Sequence, residues 1–254
     1  MKEILLVRFL NSVGVFNWLR WFRSRLQIFD KHKLSFYRQF IKKEDLCFDI
    51  GANIGQEVEI FLKLGAKVIA VEPQQSCFSF LKKIYGKNKR VVLVNKALDS
   101  NTGTKELLIC ESNAMSSLSL DWVLKAKDLF KDHEWKGKET VHVETLDALI
   151  EHFGTPQFVK IDVEGFELEV IKGLNRKIPY LCFELSPITT FRLIEIRDHL
   201  KKIGEVSFNL VGGPIFSKGP IHFIFNEWVE WEELSKYVSD NKENIFADVF
   251  VKFH

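Results

Sequence analysis

The sequence predicts a doubly wound α/β sheet, mostly parallel. Three observations carry that expectation. From Leu46 onward, apolar runs of strand length alternate with segments of helical periodicity, the pattern of repeated β-α-β units. The first unit turns at Asp49 to Gly55, a glycine-containing stretch between a strand and a helix, where open α/β sheets bind ligands. The chain has 254 residues, 46% of them hydrophobic, enough for one large core.

Residues 1–40 read as an N-terminal helical segment, and 41–254 as the sheet domain with an insertion near 99–139. In the first segment Phe9, Val15, Phe16, Trp18, Leu19, Trp21 and Phe22 stand among Arg8, Arg20, Arg23 and Arg25. A helix of this kind packs on its own domain or lies on a membrane surface. Packing is the expectation, because exposed apolar stripes are uncommon on soluble monomers.

Residues 46–50 form the first strand, and Val58, Phe61 and Leu62 fall at helical spacing before Gly65. Residues 67–71 follow as a strand, Phe78, Leu81 and Ile84 mark a helix, and 91–94 form a third strand. In the insertion, Asn101-Thr102-Gly103 reads as a hairpin turn before a strand at 106–110, with a helix at 121–130. Residues 140–144 form a short strand, and Thr145 caps a helix over 146–153. Strands at 158–161, 180–183 and 206–211 alternate with helices around Leu168 and over 191–203. The apolar runs 221–225 and 248–253 are candidates for an antiparallel edge.

Composition narrows the function. The net charge is only +2, whereas proteins that neutralise phosphates usually carry a strong basic excess. A nucleic-acid partner is therefore not expected. No run of about 20 apolar residues is present, so no transmembrane helix is expected. Cys47, Cys77, Cys110 and Cys182 lack C-x-x-C spacing. They read as reduced, packed thiols of a cytoplasmic protein rather than a zinc cluster.

The turn Asp49-Ile50-Gly51-Ala52-Asn53-Ile54-Gly55 is the most informative stretch. It lacks the G-x-G-x-x-G of dinucleotide folds, and no P-loop is present. Asn53 occupies the middle glycine position, and Asp49 would repel a diphosphate. A ligand with an adenosine and a cationic end suits the turn better, and S-adenosylmethionine has both. Glu72 ends the second strand before Pro73, at the offset where an acid binds ribose hydroxyls. A second constellation, Lys160-Ile161-Asp162-Val163-Glu164-Gly165-Phe166-Glu167, runs from the 158–161 strand into the next helix. Acids at a helix start favour its dipole, which accounts for Glu164 or Glu167 better than for Asp162. Glu184 closes the following strand, pointing toward the same crevice or capping local amides.

With these motifs the chain resembles the FkbM family of S-adenosylmethionine-dependent methyltransferases, within the Rossmann-like class. Further carriers are Val71-Glu72-Pro73, Asn95-Lys96-Ala97-Leu98, Ser116-Ser117-Leu118 and Thr145-Leu146-Asp147. The resemblance runs from about Phe36 to Phe253. It implies a seven-stranded methyltransferase sheet whose last strand is antiparallel. It implies Asp49, Gly51 and Gly55 around the methionine part of the cofactor, Glu72 on the ribose, and Lys96 and Ala97 near adenine, with Asn53 and Pro73 also among the cofactor-binding residues. Asp162 would face the cofactor's amino group or the acceptor. It further implies O-methylation of a hydroxyl on a sugar, glycan or small-molecule natural product.

A hydroxyl acceptor benefits from a base, and Glu164 or Glu184 is the expected one, with His222 a weaker candidate. Asp162 and Glu184 are candidates to share a divalent cation, but no acidic-amide pair follows the fifth strand, so no required metal is expected. The alternatives are an RNA methyltransferase, with Lys160, Asp162, Lys172 and Glu184 imitating the lysine-acid set of ribose methylases, and a cofactor-binding chain without turnover. Tyr85-Gly86-Lys87-Asn88-Lys89 spells a dehydrogenase pair but follows the second helix, where chance explains it.

Overall fold

A computed structural model describes residues 29–212 and 220–254. The aromatic and basic stretch from Phe9 to Arg25 lies outside the described residues. Along the chain the elements are α1 (Phe29–Tyr37), β1 (Leu46–Ile50), α2 (Gln56–Lys63), β2 (Lys67–Val71), α3 (Gln75–Tyr85), β3 (Val91–Val94), β4 (Ala97–Leu98) and β5 (Gly103–Cys110). They continue as α4 (Leu120–Leu129), β6 (Trp135–Glu144), α5 (Leu146–Phe153), β7 (Phe158–Ile161), α6 (Glu167–Lys172) and β8 (Tyr180–Leu185). The last are α7 (Leu193–Ile203), β9 (Val206–Gly212), α8 (Trp231–Asn241) and β10 (Ala247–Phe253).

The main sheet has seven strands in the order β3-β2-β1-β7-β8-β10-β9. All neighbours pair in parallel except β10, which runs antiparallel to both β8 and β9. The chain winds outward from β1 through β2 to β3, then returns to β7 and winds the other way. β1 and β7 therefore flank the switch point, where a crevice opens beyond the carboxyl ends of the strands.

Both faces of the sheet are covered. Helices α5 to α8 bury one apolar cluster, with Leu146, Ile171, Leu200 and Leu234 at its centre. Helices α1 to α3 cover the other face with Tyr37, Phe61 and Leu81. The abundance of phenylalanine is spent largely here: Phe36, Phe40, Phe158 and Phe250 form an edge-to-face and stacked aromatic cluster that docks α1. All four cysteines are buried, and none forms a disulfide among the described residues. Among the described residues, no helix is long and apolar enough to cross a membrane.

Three local expectations are corrected. The antiparallel strand is not at the edge: β10 lies between β8 and β9. Six of its seven residues are buried, so both faces need cover that an edge would not give. Residues 221–225 form no strand. The buried Asn209 takes the place of a ladder there, donating to the Phe225 and Glu227 carbonyls and accepting from the Phe225 amide. The hairpin expected at Asn101-Thr102-Gly103 is a crossing: β4 and β5 lie on opposite sides of β6 in a small three-stranded sheet. Asp99 pins the crossing, its amide on the Glu144 carbonyl and its carboxylate on the Ser100 amide and Lys105.

Candidate functional site

A cavity of about 420 Å³ opens at the carboxyl ends of β1, β2, β7 and β8, within the size range of small-molecule sites. The small sheet forms one wall through Ala97, Leu107 and Ser117. Ten of the residues singled out from the sequence line it: Asp49, Gly51, Asn53, Glu72, Pro73, Lys96, Ala97, Asp162, Glu164 and Glu184. Gly55 does not; it precedes α2 at φ 82°, its carbonyl accepting from the Tyr85 hydroxyl. His222 is exposed in the irregular stretch after β9 and is not a lining residue.

The first turn is built for close approach. The Gly51 and Ala52 amides donate to the Val71 carbonyl, and the Asp162 amide donates to the Ile50 carbonyl. Gly51 sits at φ +84°, and a Cβ there would stand 1.8 Å from the Asp162 carbonyl oxygen. Only glycine lets the two loops touch. Asn53 takes φ 48°, a region asparagine tolerates better than most residues.

The carboxylates around this turn differ in their partners. Glu72 is buried and accepts from the Asn53 amide at 2.7 Å and the Gln74 amide at 2.8 Å. Burial pushes its carboxyl up to about 7, against the pull of those two amides. Asp49 is 2% exposed, and its Oδ2 has no hydrogen-bond partner among the described residues. Burial, reinforced by the nearby Glu57 charge, lifts its carboxyl well above the ordinary range. An orphaned buried carboxylate oxygen facing a cavity is a place for a cation or a donor.

At the other end, β7 delivers Asp162 and Glu164. Glu164 has φ 53° and precedes Gly165 at φ 85°. Four contacts hold this reversal: Ser117 Oγ donates to the Glu164 carbonyl at 2.6 Å, Arg192 to the Gly165 carbonyl, and Glu167 Oε1 accepts from the Val163 and Gly165 amides. Glu167 is thus a buried brace of the loop rather than a cavity acid. Carboxylate oxygens of Asp162, Glu164 and Glu184 converge within 4.8 Å of one another. Burial raises the Glu164 carboxyl well above its ordinary value, with Glu184 supplying the largest repulsion, and Glu184 is raised by burial and Asp162.

Beneath them lies Lys160, 1% exposed, donating to Asp248 at 2.8 Å and 3.6 Å from Asp162. Burial opposes its charge, but Asp248 and Asp162 together hold it protonated. Lys172 instead pairs with Glu169 and Glu195 between α6 and α7, so the lysine-acid set of ribose methylases is not assembled. Sequence reasoning missed Lys33, Glu57, Phe246 and Asp248, which also line the cavity. Lys33 comes from α1, Glu57 from α2, Asp248 from β10 and Phe246 from just before it, with no local pattern to mark them.

Residues 49–208 match the model of the Methyltransferase FkbM domain. The chain belongs to the FkbM methyltransferase family. That match spans β1 into β9 and so contains both loops of the cavity. The FkbM chain is also similar to the hexuronic acid methyltransferase AglP of Haloferax volcanii, 27% identical over 152 residues, 58% of this chain. The aligned part spans only 57% of that relative's length. Among solved structures it is similar to precorrin-6y C5,15-methyltransferase of Geobacter metallireducens, with 13% identity, 88% and 87% of the two chains covered and a TM-score of 0.44. A second is precorrin 8w decarboxylase of Methanobacterium thermoautotrophicum, with 10% identity, 87% and 89% covered and a TM-score of 0.43.

Proposed function

We propose that this FkbM methyltransferase binds S-adenosylmethionine in the cavity and methylates a hydroxyl of a sugar, glycan or small natural product. The orphaned Oδ2 of buried Asp49 carries the reading. A carboxylate without a partner in a closed turn suits an ammonium and disfavours a diphosphate. Glu72, already oriented by two amides, keeps lone pairs for ribose hydroxyls. Lys96 and Ala97 flank the adenine side, and Asp162 stands between the two ends of the cavity.

S-Adenosylmethionine supplies an electrophilic methyl group on a positively charged sulfur, with a neutral thioether as leaving group. The protein's share is to hold the acceptor in line and to receive the proton of its hydroxyl. The Glu164–Glu184 pair does the latter. Two close carboxyls share one proton more readily than they carry two charges, so one member is ionised and accepts while the other stays neutral and donates. The acids at this end favour an uncharged or cationic acceptor; the hexuronic acid named for the relative belongs to that relative.

Calorimetry with S-adenosylhomocysteine, followed by a methyl-transfer screen pairing neutral sugars with their uronic acids and adding polyketide alcohols, tests the reading. Binding together with transfer to a neutral hydroxyl is expected. Absence of binding, or displacement by a nicotinamide dinucleotide, would overturn it.

A further inference from the structure

We infer that Lys160 is a positioning residue for the transfer step: its ammonium, set beneath the cavity, offsets the acids around the Glu164–Glu184 pair so that one member of the pair stays ionised to take the acceptor's proton. This rests on the reading of that pair as the proton acceptor.

Four carboxylates form a chain at this end of the cavity. Asp248 stands opposite Glu184 on the neighbouring antiparallel strand, and like charges so placed repel. Oxygens of Glu184, Glu164 and Asp162 lie within 4.8 Å of one another. Lys160 touches the first and last links, 2.8 Å from Asp248 and 3.6 Å from Asp162. The Asp248 side chain is buried, whereas that of Asp162 is 41% exposed and lines the cavity. The ammonium thus joins the closed interior of the sheet to the acids that a ligand would meet.

Tying β7 to β10 does not require a charge, because apolar residues of similar size often serve as well as a buried ion pair. What the charge adds is electrostatic. Asp162 exerts the largest repulsion on Glu184 and, after Glu184 itself, on Glu164; Glu167 adds to both. Lys160 opposes these acids at each glutamate. The Tyr37 hydroxyl and Cys182 thiol also stand near the ammonium, and burial pushes both upward, so neither contributes a charge. Without Lys160 the chain of acids would relieve its repulsion by taking up protons, and the pair would have no ionised member.

The free protein tests this without any acceptor. Label glutamate with carbon-13 at the side-chain carboxyl and follow Glu164 and Glu184 by NMR across pH in buffer containing a chelator. Their signals are assigned by loss in Glu164→Gln and Glu184→Gln. In Lys160→Met the midpoints of the pair are expected to move to higher pH. In Asp248→Asn, which removes a neighbouring charge and releases Lys160, they move to lower pH. The double variant Lys160→Met with Asp248→Asn carries neither buried charge. Its midpoints are expected to stay above wild type, because Lys160 acts on both glutamates and outweighs Asp248 at Glu184. Should Lys160→Met fail to fold, the double variant decides. A double variant that titrates like wild type, or Asp248→Asn midpoints at or above wild type, overturns the assignment and leaves Lys160 as a tie between strands. Failure of the proton-acceptor reading shows separately, as a Glu164→Gln and Glu184→Gln double variant that turns over at the wild-type rate, and it takes this assignment with it.

Discussion

At the β1–β2 end of the cavity, Glu72 is held by two backbone amides and the turn is fixed by its own main chain. At the β7–β8 end, the carboxylates of Glu164 and Glu184 receive no hydrogen bond among the described residues, although the backbone beneath them is braced by Ser117 and Glu167. The first end is arranged before any ligand arrives, which suits a ligand that never changes. The second end fixes where its acids stand and leaves their acceptors open, which suits a partner whose hydroxyls vary.

The sharpest way to break this contrast is at the point where the two ends touch. Gly51→Val would place a Cβ 1.8 Å from the Asp162 carbonyl oxygen, at a φ of +84° that a β-branched residue resists. Both loops must part. We expect S-adenosylhomocysteine binding to vanish in calorimetry and stability to fall by about 3 kcal/mol or more in a denaturant melt. Near-normal binding would show that the ends are not mechanically joined.

Turnover should separate the ends next. Glu164→Gln and Glu184→Gln remove a proton acceptor while keeping shape. The double variant is expected to lose about 10²- to 10⁴-fold in turnover, with S-adenosylhomocysteine affinity nearly unchanged. A double variant that still turns over near the wild-type rate would leave the acids with an electrostatic role only.

The contrast also explains what the sequence disclosed. The first end was legible because its parts are local: Asp49 to Gly55 is contiguous, and Glu72 follows at the strand-end offset. Main-chain constraints of that kind leave a motif. The parallel strands were legible for the same reason, through alternating apolar runs. The second end and the lining residues drawn from distant elements were less so. Lys33, Glu57 and Asp248 meet only because α1, α2 and β10 fold onto one crevice, and no spacing records that. His222 has suitable chemistry, yet the Asn209 side chain holds the neighbouring stretch as an irregular run in which His222 is exposed. β6 was read short because Lys136 to Glu139 in its first half carry no apolar side chain on either face and pair only to β5; without an apolar face the alternation on which strand reading depends is lost.

Asp49→Asn tests the cost of arranging the first end in advance. A buried carboxylate with an orphaned oxygen burdens the free protein. Its amide counterpart is expected to bind S-adenosylhomocysteine about thirtyfold more weakly while the melting temperature holds or rises. A loss of stability without loss of affinity would make Asp49 a structural residue.

The smallest expected effect is a pH dependence of binding, and its sign follows from Glu72. The folded carboxyl sits at about 7, above its ordinary 4.5. Ionising it therefore disfavours the free folded protein, whose Glu72-linked stability is fully present on the acid side and is lost as pH rises toward and through 7. A ribose that donates hydrogen bonds prefers the ionised form and pulls this value back down. Binding at neutral pH should then release protons, seen as an enthalpy that changes with the buffer's own ionisation heat. Through Glu72 alone, affinity for S-adenosylhomocysteine should fall by about tenfold at most from pH 8 to pH 6, the limit for one group titrating near 7. Burial and the Glu57 charge lift Asp49 as well, so Asp49→Asn should shrink the proton release without abolishing it, whereas Glu72→Gln should remove the step near pH 7. If the wild-type enthalpy is the same in every buffer, neither acid is ionised by the ligand, and the first end is not an electrostatic site at all.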